Sequence, residues 1–503
     1  MSRLMGECRY RNPIIDADLP DPDAIRVGDR YVMIASSFHR APGLPVYVSD
    51  DLVTWERVGN ALDRVEPDAW FRLPRPGAGV WAPSIRWHEG RYVIVYPDPD
   101  QGIFVVTAED PAGPWTVPRC LVAGTGLIDP CPLWDDDGRA YLVHGWARSR
   151  AGRKNVLTVM EVDPGLTRPL GPARDVIDGA ALTGWTTIEG PKFYKRGDEY
   201  LIFAPAGGVA TGWQAVFRGP TPFGPFEGRV VLAQGGTSVN GPHQGAWVTG
   251  PAGDWFLHFQ DRGAAGRVVH LQPMRWGEDG WPLIGRAVDG GPSEPVLEYA
   301  SPHGAPQRSR SIARSDDFAE GAPGPTWTWQ ANPPHDALAP ATGQLRMRSA
   351  ADSGSLAALP RVLGQPLPGG TSRSTVGMVL DGGAGSRAGL AVLGLDYVWA
   401  GVRREEAGTS AVVAVRGRDD LAERIVAAAP VDGEVRVTLE VRAGGAIRAR
   451  LAADGREWTV DPGAHAAEGR WIGAEIALFT GAPFGAPDAV AAFTHFRIDE
   501  GED

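Results

Sequence analysis

An all-β chain, a five-bladed β-propeller followed by a β-sandwich, is the fold that this 503-residue sequence predicts. Three observations predict it. Glycine (66) and proline (44) together make about a fifth of the residues and punctuate short runs of Val, Ile, Tyr, Trp and Phe, the composition of many short strands joined by turns. A unit made of a glycine turn, an aromatic residue and an apolar run occurs five times between residues 27 and 261. From about residue 314 that unit stops and longer alternating strands take over.

The repeated unit reads "VGDRYVMIAS" from Val27, "HEGRYVIVYP" from His88, "DDGRAYLVHG" from Asp136, "RGDEYLIFAP" from Arg196 and "AGDWFLHFQD" from Ala252. Its glycines, Gly28, Gly90, Gly138, Gly197 and Gly253, are spaced by 62, 48, 59 and 56 residues. Each interval holds about four strands of ordinary length with their turns. Four strands repeated five times make a five-bladed propeller, whose catalytic-domain span is read as residues 10–300. Segments such as "SDDLVTWERVG" and "AEDPAGPWTVP" fit outer hairpins and carry no chemistry.

Seven to ten residues before each turn glycine stands a polar or aromatic residue: Asp21, Trp81, Asp129, Glu189 and His243. In a propeller the strand before the central hairpin is innermost and its end faces the axial channel. Residues far apart in sequence therefore converge there. Prolines beside them (Pro22, Pro83, Pro130, Pro191 and Pro242) suit strand ends that need no ladder partner. One Asp-Pro is an ordinary turn, but three acids sharing a channel repel one another and have no structural purpose there, so their joint placement points to chemistry. Trp81 reads equally as core or as a stacking platform for a sugar face. His243 reads as a core histidine, a metal ligand or a hydrogen-bond partner. Phe38 is a pocket candidate, and Arg267 is either a surface residue or a channel-facing guanidinium. Asp16, Asp18 and Asp23 are expected to be solvated loop acids, Asp135, Asp136 and Asp137 a solvated turn, and His144, His258 and His270 structural.

The formal charge of −12 comes from interspersed signs without a basic stripe, which excludes nucleic acid as a partner. Cys8, Cys120 and Cys131 form neither a disulfide framework nor a zinc pattern. No leader-like apolar stretch and no membrane span is visible, so a cytoplasmic protein with free thiols and no membrane association is expected. Oligomeric state stays open, a homo-oligomer included.

Residues from about 285 to 313 are rich in Pro, Gly and Ser and read as a wrap between domains. A C-terminal domain is read over residues 314–503. In "EVRVTLEVR" Val435, Val437, Leu439 and Val441 face one way, and "GRWIGAEIALFTG" and "AAFTHFRI" continue the strand pattern of a lectin-like sandwich.

Taken in order, "NPIIDADLPDPDAI", "GVWAPSI", "LIDPCPLWDDDGRAYL", "IEGPKFY" and "GPHQGAWV" resemble glycoside hydrolase family 43, which includes β-xylosidases and α-L-arabinofuranosidases. The resemblance implies Asp21 as the general base, Glu189 as the general acid and Asp129 as the residue that tunes the acid and orients the sugar. It implies Trp81 and Arg267 in the sugar subsite and His243 near a calcium or other divalent cation on the axis. It further implies an inverting enzyme that removes terminal xylose from short xylo-oligosaccharides, with arabinose-substituted substrates as a second class. In such an enzyme the two carboxyl groups stand about 6.5–9.5 Å apart to admit water, and a third carboxylate nearby helps keep the acid protonated. A loop of the sandwich is expected to cover the propeller, with Phe484 in "TGAPFGAPDAV" as its candidate. The alternatives are arabinofuranosidase as the main activity and a non-catalytic sugar-binding propeller, which would not need three acids. A retaining fructosidase is disfavoured because Asp21 lies in Leu-Pro-Asp-Pro-Asp.

Overall fold

Each of the five repeats forms one four-stranded antiparallel sheet in the computed structural model, which describes residues 8–486 and 488–501. Blade 1 runs from Asp23 to Leu62, blade 2 from Ser84 to Ala123, blade 3 from Leu127 to Asp178, blade 4 from Lys192 to Ala233 and blade 5 from His243 to Ile284. The five repeat glycines all adopt positive φ, from 58° to 111°, in the turn between the first two strands of their blades. Only a residue without Cβ takes that conformation at no steric cost, which is why the motif keeps glycine there.

The second strand of each blade is the most apolar and sits between its neighbours. In blade 4, Ile202 pairs with Phe193 and Phe203 with Val216, and both are buried together with Leu201. The segment before blade 1 closes the ring, since Ile14 and Ile15 donate their N–H groups to Val269 O and Leu19 donates to Arg267 O, tying the entry of the chain to blade 5. Residues 9–11 pair with residues 298–300, so the chain leaving the propeller returns along its beginning.

The C-terminal region forms two packed sheets, one of eight strands and one of seven. Val435, Val437, Leu439 and Val441 all point into the shared core with Met378, Leu390 and Phe493, as their alternation predicts. The sandwich is fastened to the propeller by main chain as well as side chains. Ala41 and Trp329 exchange N–H···O bonds of 3.0 and 2.6 Å, Ala474 N–H reaches Ala264 O at 2.7 Å, and Asn332 bonds Val65 through both backbone groups. Arg40 of the propeller forms a buried ion pair with Glu475 of the sandwich. Interdomain ties through unyielding backbone fix the sandwich in register with the propeller face.

Candidate active site

Asp21, Trp81, Glu189 and His243 stand at or just before the start of the innermost strand of their blades, and Asp129 is the third residue of its own, Leu127–Trp134. All five, with Phe38 and Arg267, line one pocket of about 310 Å³ on the propeller axis. The local backbone aims them inward. Asp21 and Asp129 each have φ of 56°, Phe38 has 52° and Gln244 has 37°, conformations that cost a side-chain-bearing residue on the order of 1–3 kcal/mol. Bulges after Ile128 and after His243 break the ladder at the same level. In both inner strands the extra residue turns a side chain out of the sheet plane and toward the channel.

The three acids have different surroundings. Asp21 is 5 % exposed and both oxygens are held: Ser36 Oγ–H donates to Oδ2 at 2.5 Å and Arg267 Nη1 to Oδ1 at 2.7 Å. Its oxygens are thus turned by a cation and a hydroxyl, which fixes the direction of both. Glu189 is the most open, with 28 % of its side chain exposed, and its Oε1 lies 3.0 Å from His243 Nε2. Asp129 accepts the Gly190 N–H at 2.7 Å. Burial first, then the charge of Glu189, pushes its carboxyl up to about 8, against the opposing pull of that amide. The repulsion between Asp129 and Glu189 is the like-charge effect that the sequence leads one to expect, and in adjoining carboxylates the proton it retains belongs to the pair.

Gly190 explains the Gly-Pro after the acid. Its φ is 58°, and a Cβ there would meet the Gln244 side chain at 2.8 Å. The residue is needed for close approach, and its amide fixes Asp129.

Aromatic residues form the wall. The Trp81 ring lies 6.3 Å from Phe38 and 6.5 Å from Trp471, both tilted edge contacts, and Trp81 Nε1–H is anchored on Gly77 O at 3.1 Å. Arg150 lies over the same indole at 5.3 Å. Trp471 comes from the sandwich; the sequence "GRWIGAEIALFTG" reads as strand, whereas residues 469–474 are a loop preceding the strand Glu475–Pro483. The available signal was a tryptophan bracketed by glycines. Trp471 has φ of 66°, and its seat is a glycine, since a Cβ on Gly77 would meet the indole at 2.9 Å.

Phe484 does not close the pocket. It is 92 % exposed at the far end of the strand whose first residue, Glu475, touches the propeller. Eight residues at about 3.3 Å each put the two ends about 26 Å apart. Asp16, Asp18 and Asp23 are not solvated either; Asp23 is wholly buried, accepts Ile85 N–H and Arg86 Nη1 at 2.8 and 2.9 Å, and lies 3.7 Å from the buried Lys192 ammonium. Asp135 is likewise held, by Lys195 and Tyr200, while Asp136 and Asp137 face solvent. His258 and His270 stack in the core at 5.1 Å, consistent with a structural part.

The donor set around His243 does not fit a calcium ion. Calcium takes six to eight oxygen ligands, whereas His243 offers Nε2 to Glu189 and packs against the Phe259 ring at 5.4 Å. Among the described residues no group of three His, Cys, Asp or Glu is placed to hold a metal. His243 is the partner of Glu189.

The profile of Glycosyl hydrolases family 43 matches residues 10–282, and that of the beta xylosidase C-terminal Concanavalin A-like domain matches residues 315–499. A provisionally named beta-xylosidase of Xylanibacter ruminicola is 39 % identical over 75 % of this chain and 70 % of its own length. A non-reducing end alpha-L-arabinofuranosidase of Bacteroides ovatus is 32 % identical over 69 % of this chain, and the aligned part spans 66 % of that relative. Among solved structures, a xylan beta-1,4-xylosidase of Bacillus halodurans superposes with a TM-score of 0.84 at 22 % identity, covering 98 % of this chain and 100 % of that one, a likeness of fold.

Proposed function

The chain belongs to glycosyl hydrolase family 43, so its chemistry is glycoside hydrolysis, and from that premise we propose that it is an exo-acting, inverting enzyme that releases terminal xylose from short xylo-oligosaccharides. The observation that carries the reading is the division of the three acids in one pocket: one clamped by a guanidinium and a hydroxyl, one open to the substrate, one buried with its carboxyl pushed up to about 8.

In this scheme Asp21 takes the proton of the attacking water, with Arg267 and Ser36 holding its lone pairs in direction. Glu189 gives its proton to the glycosidic oxygen as the bond breaks, oriented by His243. Asp129 keeps a proton in the acid half of the site near neutrality and takes up the 2-hydroxyl side of the sugar. As water adds on one face and the leaving group departs from the other, the anomeric centre inverts. Trp81 and Trp471 supply apolar faces to a single pentose. A pocket of about 310 Å³ walled on one side by Trp471 of the sandwich has room for a chain end, which supports exo action. Arabinofuranose presents a similar set of hydroxyls, and the arabinofuranosidase among the relatives supports it as a second substrate.

Turnover of nitrophenyl xyloside and nitrophenyl arabinofuranoside by the wild type and Glu189→Gln tests the proposal. Wild-type activity on the xyloside that falls at least about 100-fold in Glu189→Gln is expected. No wild-type turnover of either substrate would refute it. Proton NMR of the first anomer released from xylobiose should show α-xylose, and β-xylose would refute inversion.

A further inference from the structure

We propose that Asp18 is a positioning residue through which the sandwich sets the geometry of the catalytic base, one carboxylate holding the Arg267 strand and the Trp471 loop together. The kinetic half of this inference rests on the function proposed above, and the structural half does not.

Asp18 lies three residues before Asp21 and is 9 % exposed. Its Oδ1 accepts the Arg267 N–H at 2.8 Å, and the Gly473 N–H of the sandwich stabilises the same carboxylate. From Arg267 the connection continues to the base, because Nη1 donates to Asp21 Oδ1 at 2.7 Å. From Gly473 it is two residues back to Trp471, the wall of the sugar pocket. The backbones so joined pass in contact. A Cβ on Gly266 would lie 2.1 Å from Asp18 Oδ1, and one on Gly473 would lie 2.8 Å from Gly266 N. No side chain larger than hydrogen fits at either place, so the two glycines and the carboxylate form one tight junction.

A neutral amide could accept one of those N–H groups at less desolvation cost. Burial lifts the Asp18 carboxyl to about 6 while the two N–H groups pull it down, so at neutral pH the carboxylate serves as acceptor for both. Arg267 and Asp21 lie on one side of it; Arg40, Arg57, Tyr47 and Glu475 face the small interdomain cavity on the other. Arg40 is already paired with Glu475, and Arg57 interacts with Tyr47. The Arg267 guanidinium is turned to Asp21 while its N–H is held by Asp18. Loss of the Asp18 acceptor frees the Arg267 strand and the Trp471 loop together, and the guanidinium that directs the base is no longer fixed.

The experiment compares the wild type with Asp18→Asn, which keeps the shape, and Asp18→Ala, with Glu475→Gln as a control that cuts the neighbouring ion pair at the same interface. Two quantities are read: kcat and KM on nitrophenyl xyloside, and amide hydrogen exchange of residues 264–267 and 469–474. In Asp18→Asn kcat should fall about tenfold with KM within about twofold, and exchange in both segments should rise about tenfold. Glu475→Gln should lower the thermal midpoint and leave kcat in place. An Asp18→Asn kcat equal to that of the wild type overturns the positioning of the base, and unchanged exchange in both segments overturns the tether. A wild type inactive on both nitrophenyl substrates removes the glycosidase reading, and exchange in Asp18→Asn and Asp18→Ala then decides the tether alone.

Discussion

Replacing Asp129 with asparagine should stabilise the protein in a pH-dependent way while damaging its activity. The carboxyl is raised from 3.8 to about 8 in the folded state, chiefly by burial, with the charge of Glu189 adding to it. A group raised on folding contributes stability that is fully present below about pH 4, where it is protonated in both states, and lost as pH climbs through about 8. About four pH units at about 1.36 kcal/mol each set a ceiling near 5 kcal/mol for that loss. Asparagine carries no charge to desolvate, but it is a weaker acceptor for the Gly190 N–H, at a cost of about 1 kcal/mol. The variant should therefore match the wild type at pH 4 and exceed it by about 2–4 kcal/mol at pH 9, or about 2–4 °C in thermal midpoint for a chain of this length. Thermal unfolding of both proteins at pH 4, 6, 8 and 9 is the assay, read beside turnover of nitrophenyl xyloside, which should fall at least about 100-fold. A difference between the two curves that stays flat from pH 4 to 9, or that favours the wild type at high pH, would refute the reasoning.

Three further results follow from the pocket. Trp471→Ala should lower kcat/KM on xylobiose by about tenfold, the worth of one aromatic face on a sugar, while Phe484→Ala leaves it unchanged; steady-state kinetics of the pair decide between the two aromatics, and the reverse ranking would return the lid to the Phe484 hairpin. His243→Phe should reduce kcat about 10- to 100-fold with KM within about twofold, because it loosens Glu189 without touching the sugar. A chelator should leave the wild-type rate unchanged, and a loss of rate restored by calcium would contradict the assignment of His243 as the partner of Glu189.

Much of the fold was legible because it depends on local rules. A positive-φ turn demands glycine, so the five hairpins announced themselves at blade spacing, and period-2 alternation put Val435 and its neighbours into the sandwich core. The residues lining the catalytic pocket were legible for the same reason: a repeat makes equivalent positions visible, and fivefold closure brings equivalent positions together. The buried acids before blade 1 were misread because an Asp-rich loop looks solvated until its partners are known, and those partners, Arg86, Lys192, Arg267 and Arg262, are 63 to 249 residues away.

By itself, then, the sequence determined the five blades, the trailing sandwich and the convergence of Asp21, Trp81, Asp129, Glu189 and His243 on one axis, since these follow from periodicity and chain closure, while Phe38 and Arg267 entered only as pocket candidates. Only the tertiary structure decided that Trp471 rather than Phe484 walls the pocket, that Asp129 is the acid pushed to about 8, and that Asp18 joins two domains at the base. Burial, charge spacing and the register of one domain on another are sums over residues distant in the chain, and no local pattern carries them.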